Sequence, residues 1–144
     1  METELAVFAL GAVFAVALQL FISRLTLERE KRKEAWIRKL NSYENFYRAM
    51  TGLIDLVSAG VRVPEQQFWE AMVDARKSAY DAASYDAENP ERTARMRQLT
   101  LDLVLAYQGG ELDGERLREL REETEAIRSG FYSEERAALP RGRG

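Results

Sequence analysis

Residues 5–22, LAVFALGAVFAVALQLFI, form an apolar run interrupted only by Gly11 and Gln19. No charged residue falls between Glu4 and Arg24. At ~1.5 Å rise per residue such a run spans ~27 Å as a helix, close to the hydrocarbon thickness of a bilayer. A core helix of a small domain needs a polar face toward water, and this run has none. A secretory signal peptide calls for a basic n-region and a small-x-small cleavage site. Here the residues ahead of the run are Met-Glu-Thr-Glu, and the run passes through Ser23-Arg24 into charged, helix-forming sequence. Residues 5–23 are therefore read as an uncleaved single-pass transmembrane helix.

The flanks give it a direction. Residues 1–4 hold two acids and no Lys or Arg, while Arg24, Arg29, Lys31, Arg32, Lys33, Arg38 and Lys39 follow the run. Basic residues near a span stay on the cytoplasmic side. The reading places a short N-terminus 1–4 outside the cell membrane and the C-terminal domain in the cytoplasm. Within the span, Gly11, Ala15, Gln19 and Ser23 recur every four residues. Small residues allow close helix approach in lipid, and a glutamine can hydrogen-bond across the contact. They are the candidate membrane-helix contact face.

The rest of the chain reads as helices. Overall hydrophobic content is an ordinary 46%, but much of it is concentrated in the span, and the remainder is patterned. Residues 24–35 carry i,i+4 pairs such as Glu28–Arg32 and almost no apolar face, so they read as a charged helical stalk continuous with the span. From Trp36 the apolar residues Leu40, Tyr43, Tyr47, Met50, Ile54 and Val57 step alternately by four and three, widened by Ile37, Phe46 and Leu53. That spacing marks one buried face of a helix. Gly60 is a natural stop. Pro64 opens a second helix with Phe68, Met72, Ala75, Ala79 and Ala82 on one face, and Trp69, Val73 and Tyr80 beside them. Asn89-Pro90-Glu91 reads as an N-cap followed by a third helix, with Met96, Leu99, Leu103 and Tyr107 inward. Gly109-Gly110 ends it. Asp113 is placed to cap a fourth helix, 114–129, with Leu117, Leu120, Thr124 and Ile127 inward and Gly130 as its end. The alternation Leu99-Thr-Leu101-Asp-Leu103 also fits a strand, but a lone strand would have no partner.

The expected fold is all-α: a single transmembrane helix continuing into an antiparallel bundle of about four helices over 36–130, then a flexible tail 131–144. The short links favour antiparallel neighbours. Arg141 and Arg143 are expected near the membrane, where a basic residue beside anionic lipid contributes ~1 kcal/mol.

Chemistry is scarce. The chain has no His and no Cys, which removes the commonest general base, the commonest metal ligand and every thiol reaction. Glu44, Asp55, Glu70, Asp74 and Asp81 read as acids on solvated faces near Arg48, Arg76 and Lys77, and Asp102, between two leucines, as half-buried. Gly109-Gly110-Glu-Leu-Asp-Gly114 lacks the Lys-Ser/Thr of a phosphate loop and a preceding strand. Net charge is −3, acids interleave with the basic stretch 24–39, and Arg92, Arg95 and Arg97 share no helix face with aromatics. Nucleic acid is not an expected partner. No catalytic residue, metal, cofactor or small-molecule substrate is assigned.

Aromatic residues remain. Tyr43, Tyr47, Trp69 and Tyr80 are the candidate lining of a partner groove, since Tyr and Trp are favoured at binding surfaces. The expected function is a non-catalytic, membrane-tethered interaction or scaffold module. Its partners would be the lipid bilayer and a protein or a second copy of itself. Two alternatives stay open: an accessory subunit of a larger membrane complex, and a holin- or toxin-like membrane-disrupting effector.

Overall fold

The computed structural model describes residues 2–138, and among them there are four helices and no strand. Arg141 and Arg143 lie outside the described residues. The helices are α1 (Glu2–Ser58), α2 (Glu65–Tyr85), α3 (Pro90–Gln108) and α4 (Gly114–Ala138). The chain divides into two compact units, Met1–Ile37 and Arg38–Gly144. The first is helix alone. Every described residue in it is exposed, including Gly11, Ala15, Gln19 and Ser23, which follow one another at i,i+4 along α1. One helix is long and apolar enough to cross a membrane, and none of its apolar window is buried.

The second unit is built on a core to which all four helices contribute. Tyr43, Phe46, Met50, Leu53 and Ile54 come from α1, and Phe68, Met72, Ala75, Ala79 and Ala82 from α2. Met96, Leu99 and Leu103 come from α3, and Leu117, Leu120, Ile127 and Phe131 from α4. The α2 and α3 helices are closely apposed, because the alanines on α2 let the backbones approach. Buried threonines satisfy their hydroxyls locally: Thr100 and Thr124 donate to the carbonyls of Met96 and Leu120 at 2.9 and 2.7 Å. That removes the desolvation cost of an unpaired hydroxyl.

Turn chemistry fixes the links. At the end of α1, Val61 N–H donates to the Leu56 carbonyl and Gly60 N–H to that of Val57, with Gly60 at φ +75°. This is a Schellman ending, which needs the left-handed conformation glycine adopts without strain. Gly110, at φ +67°, ends α3 in the same way, with Glu111 N–H donating to the Ala106 carbonyl. At the start of α4, Asp113 Oδ1 accepts from Arg116 N–H at 2.8 Å, an N-cap bond.

Three local readings are corrected. Asn89 makes no side-chain cap bond to α3; its amide donates instead to Asp86 Oδ1 and Glu134 Oε1, both at 2.9 Å. The two carboxylates hold the amide through its Nδ2 hydrogens, in an orientation that leaves Oδ1 off the α3 N–H groups. The apolar stripe of α1 enters the core only from Tyr43 onward, with Tyr47 and Val57 half-buried, while Trp36 and Ile37 are exposed: spacing identifies a helix face but not how far along it is covered. Gly130 does not end α4, which runs on to Ala138, because the next residue, Phe131, is a core residue at 1% exposure.

The glycines are therefore not equivalent. A Cβ on Gly130 would meet only Arg92 side-chain atoms at 3.8 Å, ordinary contact. Gly130→Ala is expected to stabilise the second unit by ~0.5–1 kcal/mol, through the better helix propensity of alanine. Gly60→Ala and Gly110→Ala should each destabilise it by about 1 kcal/mol, because both sit at positive φ. Urea unfolding of the three variants against the parent measures this opposition of sign.

Candidate functional site

The four aromatic residues expected to line one groove are divided among three places. Tyr43 is 2% exposed and belongs to the core. Tyr47 is half-buried and lines a polar recess of about 600 Å³ with Arg128, Ser129, Tyr132 and Arg136. Trp69 and Tyr80 do come together, in a groove of about 390 Å³ between α2 and α3.

Tyr43 is tied to a charged cluster. Its phenol donates to Asp86 Oδ2 at 2.5 Å. The Asp86 side chain is 1% exposed and also faces Lys39 Nζ at 3.3 Å and Arg92 Nη1 at 3.7 Å. Lys39 reaches Glu135 at 2.7 Å, and Arg92 pairs with Glu134 and donates to the Gly130 carbonyl at 3.2 Å. Burial works against a charge on Asp86. The hydrogen bonds from Tyr43 and Asn89 and the charge of Lys39 outweigh it, so the carboxyl is held below its usual range. Burial and the same carboxylate push the Tyr43 phenol well above its ordinary value. Neither shift moves its group toward neutrality. The cluster joins α1, the α2–α3 turn, α3 and α4.

The recess beside Tyr47 is likewise held by its own ion pair. Glu44 Oε1 accepts from Arg128 Nε at 3.0 Å and from the Tyr132 phenol at 2.5 Å, while the Arg128 guanidinium lies 4.4 Å above the Tyr47 ring. Burial opposes the charge on Glu44, yet these two bonds bring its carboxyl down. Asp55 pairs with Arg121, and Asp102 accepts from Gln98 at 2.9 Å and faces Arg95 at 3.8 Å. Among the described residues no three His, Cys, Asp or Glu side chains converge as a metal would require.

The α2–α3 groove differs in kind. Its lining includes Trp69, Val73, Tyr80, Leu101 and Val104. Val73, Leu101 and neighbouring Leu105 are 64%, 49% and 56% exposed. Apolar residues on adjoining helices thus share one open face. Arg76 and Arg97 border it, each with its guanidinium 5.7 Å from the Tyr80 ring. Arg97 shares no face with an aromatic on its own helix; it meets Tyr80 across the α2–α3 pair. Helix periodicity was blind to this, and Leu101 and Val104 went unselected for the same reason. Their signal was only an apolar excess in α3 beyond one buried stripe.

Comparison with protein-family models, with curated proteins and with solved structures finds no match to this chain.

Proposed function

We propose that this protein is a non-catalytic, membrane-tethered docking module. In this reading residues 5–23 cross the cell membrane once, and the second unit is an antiparallel helical bundle displayed in the cytoplasm. The observation that carries the reading is the exposure of the apolar run. Its large side chains, from Leu5 to Ile22, are 48–78% exposed, while the core is completed by residues from Tyr43 onward. Burying a Val, Leu, Ile or Phe side chain is worth ~1.5–3 kcal/mol, so this run leaves roughly 15–30 kcal/mol unrealised in water. A bilayer supplies that burial, and the seven-to-none basic asymmetry of the flanks supplies the direction. The apolar α2–α3 groove is the docking face in this reading.

The absence of native cysteine makes topology directly measurable. Thr3→Cys in intact cells should react with a membrane-impermeant maleimide, and Ser84→Cys only after lysis. The full chain should resist carbonate extraction, and a chain lacking residues 1–23 should not. The opposite labelling pattern would reverse the orientation, and a carbonate-soluble full chain would end the tether proposal.

A further inference from the structure

We infer that the α2–α3 groove receives an amphipathic helix of a partner protein, about three turns long, whose carboxylates meet Arg76 and Arg97. This rests on the docking-module reading and adds the chemistry of the occupant. Along α2 the distance from Trp69 to Tyr80 is ~16 Å, matching three turns of a helix that presents apolar anchors at i, i+4 and i+7. Val73, Leu101 and Val104 lie between those two aromatics in an apolar trough.

Charge identifies what else the occupant carries. Arg92, Arg95, Arg121 and Arg128 are each paired with a carboxylate of this chain. Arg76 and Arg97 make no ion pair among the described residues; each rests on the Tyr80 ring. Hydrogen bonding from Arg76, and the positive charge of both arginines, hold the Tyr80 phenol below its ordinary value, consistent with a local excess of positive potential. A guanidinium beside an apolar trough binds a carboxylate more strongly than a fully solvated one, because water competes less. At the other end Trp69 Nε1 donates to Glu65 at 3.4 Å, while Glu70 and Asp74 line a separate recess with Trp69 and Val73. The occupant's carboxylates therefore lie toward its Tyr80 end.

Other occupants fit less well. The charged residues lining the groove are both arginines, so a second copy seated groove to groove supplies no carboxylate from that lining. Anionic lipid would meet the two arginines but also Glu65 beside Trp69.

The test is selection from a displayed library of three-turn helical peptides, panned on the full chain in neutral phosphatidylcholine nanodiscs. Enriched peptides should carry carboxylates within one turn at a single end. Their affinity should fall about tenfold or more for the R76E/R97E variant, and Lys in place of those carboxylates should restore it. Leu101→Asp should abolish binding to all of them. Circular dichroism checks that these exposed substitutions leave the helices intact. Peptides that need Leu101 but tolerate R76E/R97E within about twofold would overturn the charge inference and leave the docking module standing. Peptides indifferent to both, or no enrichment at all, would overturn the groove as a docking face as well. Capture of phosphatidylserine vesicles through Arg76 and Arg97, or a full-chain dimer lost on Leu101→Asp, would replace the helix with a lipid surface or a second copy.

Discussion

Phe131→Ala is expected to lower the unfolding free energy of the second unit by about 3–5 kcal/mol, the range for deleting a fully buried aromatic ring. Phe131 is 1% exposed, and its ring stacks on Tyr43 at 4.3 Å between centroids and 16° between planes. Tyr132 meets its edge at 5.4 Å, and Lys39 Nζ stands 5.7 Å from its centroid. Removing the ring opens a cavity at the point where the last turns of α4 join α1. Glu134 and Glu135 then lose the anchor that holds them near Arg92 and Lys39. Urea unfolding of the full chain in micelles, followed by circular dichroism, measures the loss. At 4–8 °C per kcal/mol for a domain of ~100 residues, the midpoint of a thermal scan should fall by about 12 °C or more. A chain ending at residue 130 should lose at least as much. If 131–138 were an unstructured tail, neither change would matter, so a shift under about 0.5 kcal/mol would refute the placement.

Asp86→Ala is the second large effect, expected at about 2–4 kcal/mol. Removing one member of a buried ion pair typically costs 3–5 kcal/mol, because the partners stay behind uncompensated. The figure is reduced here because Lys39 and Arg92 are 20% and 18% exposed and keep Glu135 and Glu134. Tyr43→Phe removes one hydrogen bond and should cost ~1 kcal/mol. Measured in a double-mutant cycle with Asp86→Ala, its effect should largely vanish.

The pH dependence follows from the direction of each shift. The Asp86 carboxyl is depressed in the folded state, so the unfolded chain binds more protons as the pH drops. Its stabilisation is full above the unfolded carboxylate pKa and is lost as pH falls through the lower folded one. For Lys39, burial disfavours the charge, but the Glu135 and Asp86 partners raise the pKa overall. Its contribution is full below the unfolded lysine pKa and is lost as pH rises through the folded one. The parent should therefore be most stable between these limits. Asp86→Ala should be less stable there and should lose less on acidification. An Asp86→Ala variant with the parent's full acid loss would assign that loss to other carboxylates.

Much of the helical order was legible. The buried faces of α2, α3 and α4 follow the four-and-three spacing of their apolar residues, since a helix buries what falls on one side. Gly60 and Gly110 ended helices as read, because their left-handed conformation favours glycine. Gly130 misled because glycine disfavours a helix by only ~1 kcal/mol, less than burial of the neighbouring Phe131 returns. Asn89 misled because its Nδ2 donates to Asp86 in the turn and to Glu134, which lies near only once α4 is docked, and that orientation leaves its oxygen off the α3 N–H groups. The proposed groove was half legible. Trp69 and Tyr80 were selected, but Tyr43 was grouped with them on residue type alone, and its burial beside Asp86 and Phe131 depends on three other helices.

The sequence by itself determined the elements: one long apolar segment, an all-helical remainder, and no histidine or cysteine. These are local properties of composition, period and turn residues. Only the tertiary structure decided which polar groups are buried together and which apolar ones are left open. Asp86 becomes a hub, Phe131 a core residue, and Arg76 and Arg97 the paired border of an exposed groove. Each depends on which helix faces pack, and residues distant in the chain gain their environment only when that packing forms.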